Sequence, residues 1–113
     1  MPKFVNLTPH PIVIKTPNRD ITIPPQGTVA RVAVSQVKVG EIDDIPVVKN
    51  TYGDVVGLPD PAPNTVYVVS GLVLSALQGK GRSDVVAPDT GPTAIRDNQG
   101  RIIAVTRLVA PSS

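Results

Sequence analysis

Two sets of polar residues in this chain have the types and spacing to do chemistry. The first is Asn6, Thr8 and His10, which alternate along a segment bracketed by Pro9 and Pro11. Proline restricts its own φ and the backbone before it to extended forms, and in an extended backbone alternate side chains share one side. Such a face is either an edge making turn hydrogen bonds or an edge that binds. The second set is Lys80, Arg82, Thr90, Thr93 and Arg96, with the backbone amides of Ser70 and Gly71. Guanidinium groups and free amides suit a phosphate or carboxylate, because charge-assisted bonds contribute roughly 1.5–3 kcal/mol each. Gly91, between Thr90 and Pro92, lets the backbone approach a ligand closely. The alternative is that Arg82 pairs with Asp84 or Asp89, and Arg96 with Asp97 or an acid across a strand. Exposed pairs of that kind contribute little energetically.

Other chemistries find no footing. With one histidine and no cysteine, a structural zinc site has no ligand set. Glu41, Asp43 and Asp44 are a weak candidate for a hard cation, lacking any loop motif. Lys80 is followed by glycine, so the phosphate-loop pattern fails. Ser70 sits in Val-Val-Ser-Gly-Leu, which lacks the first glycine of a nucleophile elbow. His10 has the chemistry of a general base for Ser70, but nothing in the sequence pairs them. No catalytic residue, cofactor or metal is assigned.

These groups need elements to position them, and the clearest runs from Thr65 to Gln78. Thr65–Val69 is β-branched and aromatic, the composition of a buried strand. Leu72, Val73, Ala76 and Leu77 share a helical face, Ser70 stands at the N-cap and Gly79 at the stop, predicting a helix over 70–78. A strand running directly into a helix exposes the helix's first amides, which an anion favours.

Thirteen prolines among many β-branched residues predict short strands with rigid connections and exclude a helical bundle. Strands are expected at 4–7, 12–14, 21–23 and 28–34, with Gly27 free for positive φ. A parity change near Ser35-Gln36 predicts a bulge or reversal. Residues 41–44 read as a turn, 45–48 as a short strand ended by Asn50, and 57–64 as a proline-braced loop. Asp97–Gly100 is the best hairpin turn, with Gly100 in the left-handed position. Arg101–Val109 reads as a closing, central strand, and Pro111-Ser112-Ser113 as a fraying end. The expected fold is one α+β domain over 1–113, a bent antiparallel sheet or small barrel carrying one helix.

Net charge is +2 with a pI near 9.2. The basic residues are scattered and the aromatics are only Phe4, Tyr52 and Tyr67, so nucleic-acid binding is poorly supported. Charge is nevertheless uneven. Residues 41–60 are acidic and residues 80–107 basic, which points to self-association or an anionic ligand. No long apolar run marks a signal peptide or membrane span, and the absence of cysteine is compatible with a reducing cytoplasm.

Several segments together resemble a family of short, largely uncharacterised bacterial and phage proteins. They are Asn6-Leu7-Thr8-Pro9-His10, Ile23-Pro24-Pro25 with Gly27–Arg31, Thr51-Tyr52-Gly53, Gly57-Leu58-Pro59, Tyr67–Ser70 and Asp84–Asp97. A looser analogy, from size and context, is to phage sponges that sequester nucleotide second messengers. The expectation is therefore a non-catalytic binding protein, oligomeric and in the bacterial cytoplasm, that takes up a phosphorylated, nucleotide-like ligand. Ser70, Gly71, Arg82, Thr90 and Arg96 would hold phosphate, while Asn6, Thr8, His10 and Tyr52 would read the rest. The rivals are a structural or adaptor protein acting only through protein contacts, and a small hydrolase using His10 and Ser70.

Overall fold

A computed structural model describes residues 2–111; Ser112 and Ser113 of the expected fraying end lie outside the described residues. In chain order the elements are β1 (Lys3–Asn6), β2 (Ile12–Lys15), β3 (Asp20–Ile23), β4 (Arg31–Ile42) and β5 (Ile45–Val56). There follow β6 (Thr65–Val68), α1 (Gly71–Ala76), β7 (Val85–Pro88), β8 (Ile95–Arg96), β9 (Ile102–Ala104) and β10 (Leu108–Val109). As the proline content predicts, most strands are short, and the fold is mostly β with one short helix.

The central sheet has the order β1-β6-β7-β10. It is mixed, with β1/β6 and β6/β7 parallel and β10 antiparallel to β7. It is neither wholly antiparallel nor closed into a barrel, which corrects both forms of the expected sheet. The reason is α1, which carries the chain from the end of β6 back to the start of β7, a crossover that makes the two strands run the same way. The expected closing strand is also divided. β9 pairs with β8 in a hairpin, and β10 lies at the sheet edge rather than its centre.

A parallel sheet is buried on both faces, and β6 shows why Val66–Val69 has no polar position in alternation. Tyr67 and Val69 join Val5, Leu7, Val85 and Ala87 beneath Val73, Leu74 and Leu77 of the helical segment. Val68, pointing the other way, packs with Ile12, Ile14, Ile23 and Val105. Both Val68 and Val69 are fully buried. The second layer is the β2–β3 hairpin, tied to the C-terminal segment by paired Lys15–Val105 and Val105–Val13 backbone bonds of 2.8 and 2.9 Å.

Ser70 caps α1 as expected, its Oγ accepting from the Val73 amide at 3.3 Å, and Gly79 follows with φ +78°. The buried face, however, is Val73, Leu74 and Leu77, and Leu72 is half exposed. The sheet meets the helix about one residue further round than its apolar spacing suggests.

β4 and β5 form an arm of two twelve-residue strands, with no third strand beside them among the described residues. At about 3.4 Å per residue each strand is about 40 Å long. The radius of gyration is 16.2 Å, against about 13 Å for a compact chain of this size. Asp43 and Asp44 both have positive φ, 50° and 65°, making a two-residue turn whose twist suits the ribbon. The expected break at Ser35-Gln36 is absent. Register shifts instead lie at Val32/Val34 and Lys38/Gly40, and β5 runs on past Asn50. At the arm's root Gly57 has φ +86°, and a Cβ there would stand 2.7 Å from the Val29 carbonyl oxygen.

Candidate functional site

The Asn-Leu-Thr-Pro-His segment does not run extended. Asn6 turns inward and is 1% exposed. Its amide nitrogen donates to the carbonyls of His10 and Ile23, both at 2.9 Å. Its Oδ1 accepts from the Thr8 amide at 2.9 Å and from the Thr8 hydroxyl at 2.6 Å. One side chain thereby closes the 6–10 turn and ties it to the end of β3. Asn6 has no group left for a ligand, and only His10 of the three stands open to solvent. An amide suits this place because it both donates and accepts.

A cleft of about 400 Å³ opens beside this turn. Its walls come from the 8–13 segment, the β6–α1 junction, the end of β7 and residues 102–105. Thr8, His10, Ser70, Gly71 and Thr90 all line it, five residues expected at a ligand site and drawn from three distant parts of the sequence. Pro9, Pro11, Ile12, Ile102 and Ile103 make the rest largely apolar. Among the described residues, no charged side chain lines the cleft. Its polar groups are hydroxyls and one imidazole, and α1 has only six residues, too few for an appreciable dipole. The lining can hold a ring or short aliphatic group with a few neutral hydrogen bonds.

The expected phosphate cations lie elsewhere. Arg82 forms a two-pronged pair with Asp84, Nε–Oδ1 and Nη2–Oδ2 both at 3.0 Å, and also donates to the Pro59 carbonyl at 2.9 Å. It joins the 57–64 loop to the start of β7. The bond holds the Asp84 carboxyl below its ordinary range and raises the Arg82 guanidinium. Arg96, on β8, donates to the Gly100 carbonyl at 2.8 Å rather than to Asp97. Asp97 accepts instead from the amides of Gln99 and Arg101, and these, the Arg101 amide foremost, hold it low. Asp89 is held low by Arg107 and the Gly91 amide. Tyr52 lies on the arm opposite Val34, away from the cleft lining.

His10 and Ser70 share the cleft, but among the described residues no carboxylate lines it to orient a histidine. Among the described residues, no group of three or more histidines or acids is placed to hold a metal, and no helix is long and apolar enough to cross a membrane.

The arm is the feature that sequence reasoning missed. Val34, Val37, Val39, Val48, Ile42, Ile45 and Tyr52 are all exposed on it, Ile42 at 66% and Ile45 at 64%. The available signal was the long β-branched run either side of Asp43-Asp44, uninterrupted by glycine-rich or proline-rich loops. No family model, curated protein or solved structure matches the chain.

Proposed function

We propose that this chain is a structural or adaptor protein that works through protein–protein contacts, with the β4–β5 arm as its working surface. The observation that carries this reading is the set of large apolar side chains exposed on the two-stranded ribbon, with Val34, Val48 and Tyr52 on one face and Val37, Ile42 and Ile45 on the other. Exposed large apolar side chains in such number mark interaction sites, and an isolated hairpin is at best marginally stable without further packing. The test is a photo-crosslinking residue placed at Ile42 or Val48 in expressing cells, with Lys80 as the control position. Discrete protein adducts from the arm alone are expected. Their absence, or equal adducts from position 80, would overturn the reading.

A second reading is favoured by the convergence of Thr8, His10, Ser70, Gly71 and Thr90 on one cleft. In that reading the chain takes up a small ligand without catalysis, as a nucleotide sponge does, seating a base-like ring against Pro9, Pro11 and Ile103. The phosphate would lie outside the cleft, since no cation lines it. Calorimetry with linear and cyclic nucleotides tests this. Heat that is lost in His10→Ala and Ser70→Ala supports it, and a flat trace across the panel removes it.

A further inference from the structure

We propose that the arm's partner is a second copy of this chain, added antiparallel along the outer edge of β4 about a two-fold axis through Gln36. The proposal rests on reading the arm as a contact surface, and it commits that surface to one occupant. Both outer edges of a two-stranded ribbon carry unpaired backbone groups, and here the two edges differ.

Ile42 and Ile45 flank the two-residue turn and are its closing pair, so at the next pair, Glu41 and Pro46, backbone groups point outward. The proline therefore removes a donor from the outer edge of β5 near its tip. β4 has no proline from Arg31 to Ile42.

Its two register shifts, at Val32/Val34 and Lys38/Gly40, leave a regular run of five residues, Val34–Lys38, with Gln36 at the centre. Counting outward from the closing pair and across the shift, Gln36 falls on an outward-pointing pair. An isologous two-fold contact requires a surface complementary to itself, and a short regular run centred on an uncharged residue meets that requirement.

Charge order selects the same edge. Glu41 is held by Lys38 of its own copy, but Arg31 and the Asp43-Asp44 tip lie on opposite sides of Gln36, so antiparallel pairing carries each copy's acidic tip towards the other's Arg31. The matching arrangement on β5, centred on Asn50, would set Asp54 opposite the partner's Pro46, which offers it no opposite charge. Pairing along β4 also turns two free ribbons into one sheet of four strands, more than the three that a sheet with an apolar face needs to be stable on its own.

The experiment uses the full chain, which has no cysteine of its own. Gln36→Cys and Asn50→Cys place single thiols on opposite edges of the same cross-strand pair. Mild oxidation at micromolar protein should convert Gln36→Cys to a covalent dimer and leave Asn50→Cys monomeric, because only the former faces its own copy within disulfide range. Light scattering of the wild type should give twice 11.8 kDa. Gln36→Lys, which sets two cations together at the axis without touching the backbone, should halve that mass while the chain still melts in one cooperative transition. A monomeric wild type, equal cross-linking of both cysteine variants, or a Gln36→Lys dimer would each overturn the proposal. If the photo-adducts from Ile42 contain a different protein and never this chain, the contact reading stands and the second-copy assignment falls.

Discussion

The body and the arm are built from the same kinds of residue and put them to opposite use. In the body Val68, Val69 and Val85 are completely buried, whereas on the arm Val39 and Val56 are 61% and 67% exposed. The body's sheet is covered by α1 on one face and the β2–β3 hairpin on the other, and Asn6 locks the connection between layers. The arm has two strands, packs on the body only at its root through Val32 and Val55, and bares both faces beyond it. The difference teaches that hydropathy specifies a strand without specifying what covers it. In the body the cover is the chain itself; on the arm it has to come from elsewhere. Polar groups divide the same way. Among the described residues, no buried side-chain polar atom of the body lacks a partner, while Asp43 and Asp44 at the arm's tip make no ion pair.

If the body carries the stability, the largest effects must come from its joints. Asn6→Ala leaves the Ile23 carbonyl and the 6–10 turn without their partners and should cost about 3 kcal/mol, read as a lower urea midpoint at unchanged slope. Leu7→Ala, beside it and 2% exposed, should cost about 3 kcal/mol through the cavity it opens. A loss below about 1 kcal/mol at either position would mean that the layers are not joined there.

A smaller effect is expected at the β8–β9 turn, where Gly100 has φ +81°. Gly100→Val should cost more than about 1 kcal/mol, because a β-branched residue resists the left-handed region. An unchanged thermal melt would show that this turn bears no load.

The Arg82–Asp84 pair should contribute about 1 kcal/mol near neutral pH, as a partly exposed but well-formed ion pair. Asp84 titrates below its ordinary value in the folded chain. Its contribution is therefore present above the unfolded value of about 4 and lost as pH falls through the folded one. Asp84→Asn should lower the melting temperature by about 4 °C at neutral pH, with wild type and variant converging in acid. A difference that persists unchanged in strong acid would assign the effect to packing instead.

The smallest effect belongs to the arm. Ile42→Thr with Ile45→Thr should change the stability of dilute protein by no more than about 0.5 kcal/mol. A loss of several times that would erase the contrast, since those side chains would then be part of a folding core.

What the sequence determined by itself is local. The Ser70 cap, the left-handed Gly100 and Gly27, the short strands between prolines and the β-branched strand at Thr65–Val69 all follow from neighbours within a few residues. Backbone sterics, cap hydrogen bonds and side-chain periodicity act over that range. The tertiary structure decided the rest. Asn6 was chosen for the interior by the approach of β3, seventeen residues away in sequence, and Arg82 was withdrawn from any ligand by the Pro59 carbonyl across the 57–64 loop. Five of the expected site residues met in one cleft because a parallel crossover set the end of β6 beside the 8–11 turn. The arm's residues carry the alternation of any strand; only the absence of a covering layer, a fact about the whole chain, leaves Ile42 and Ile45 in the open.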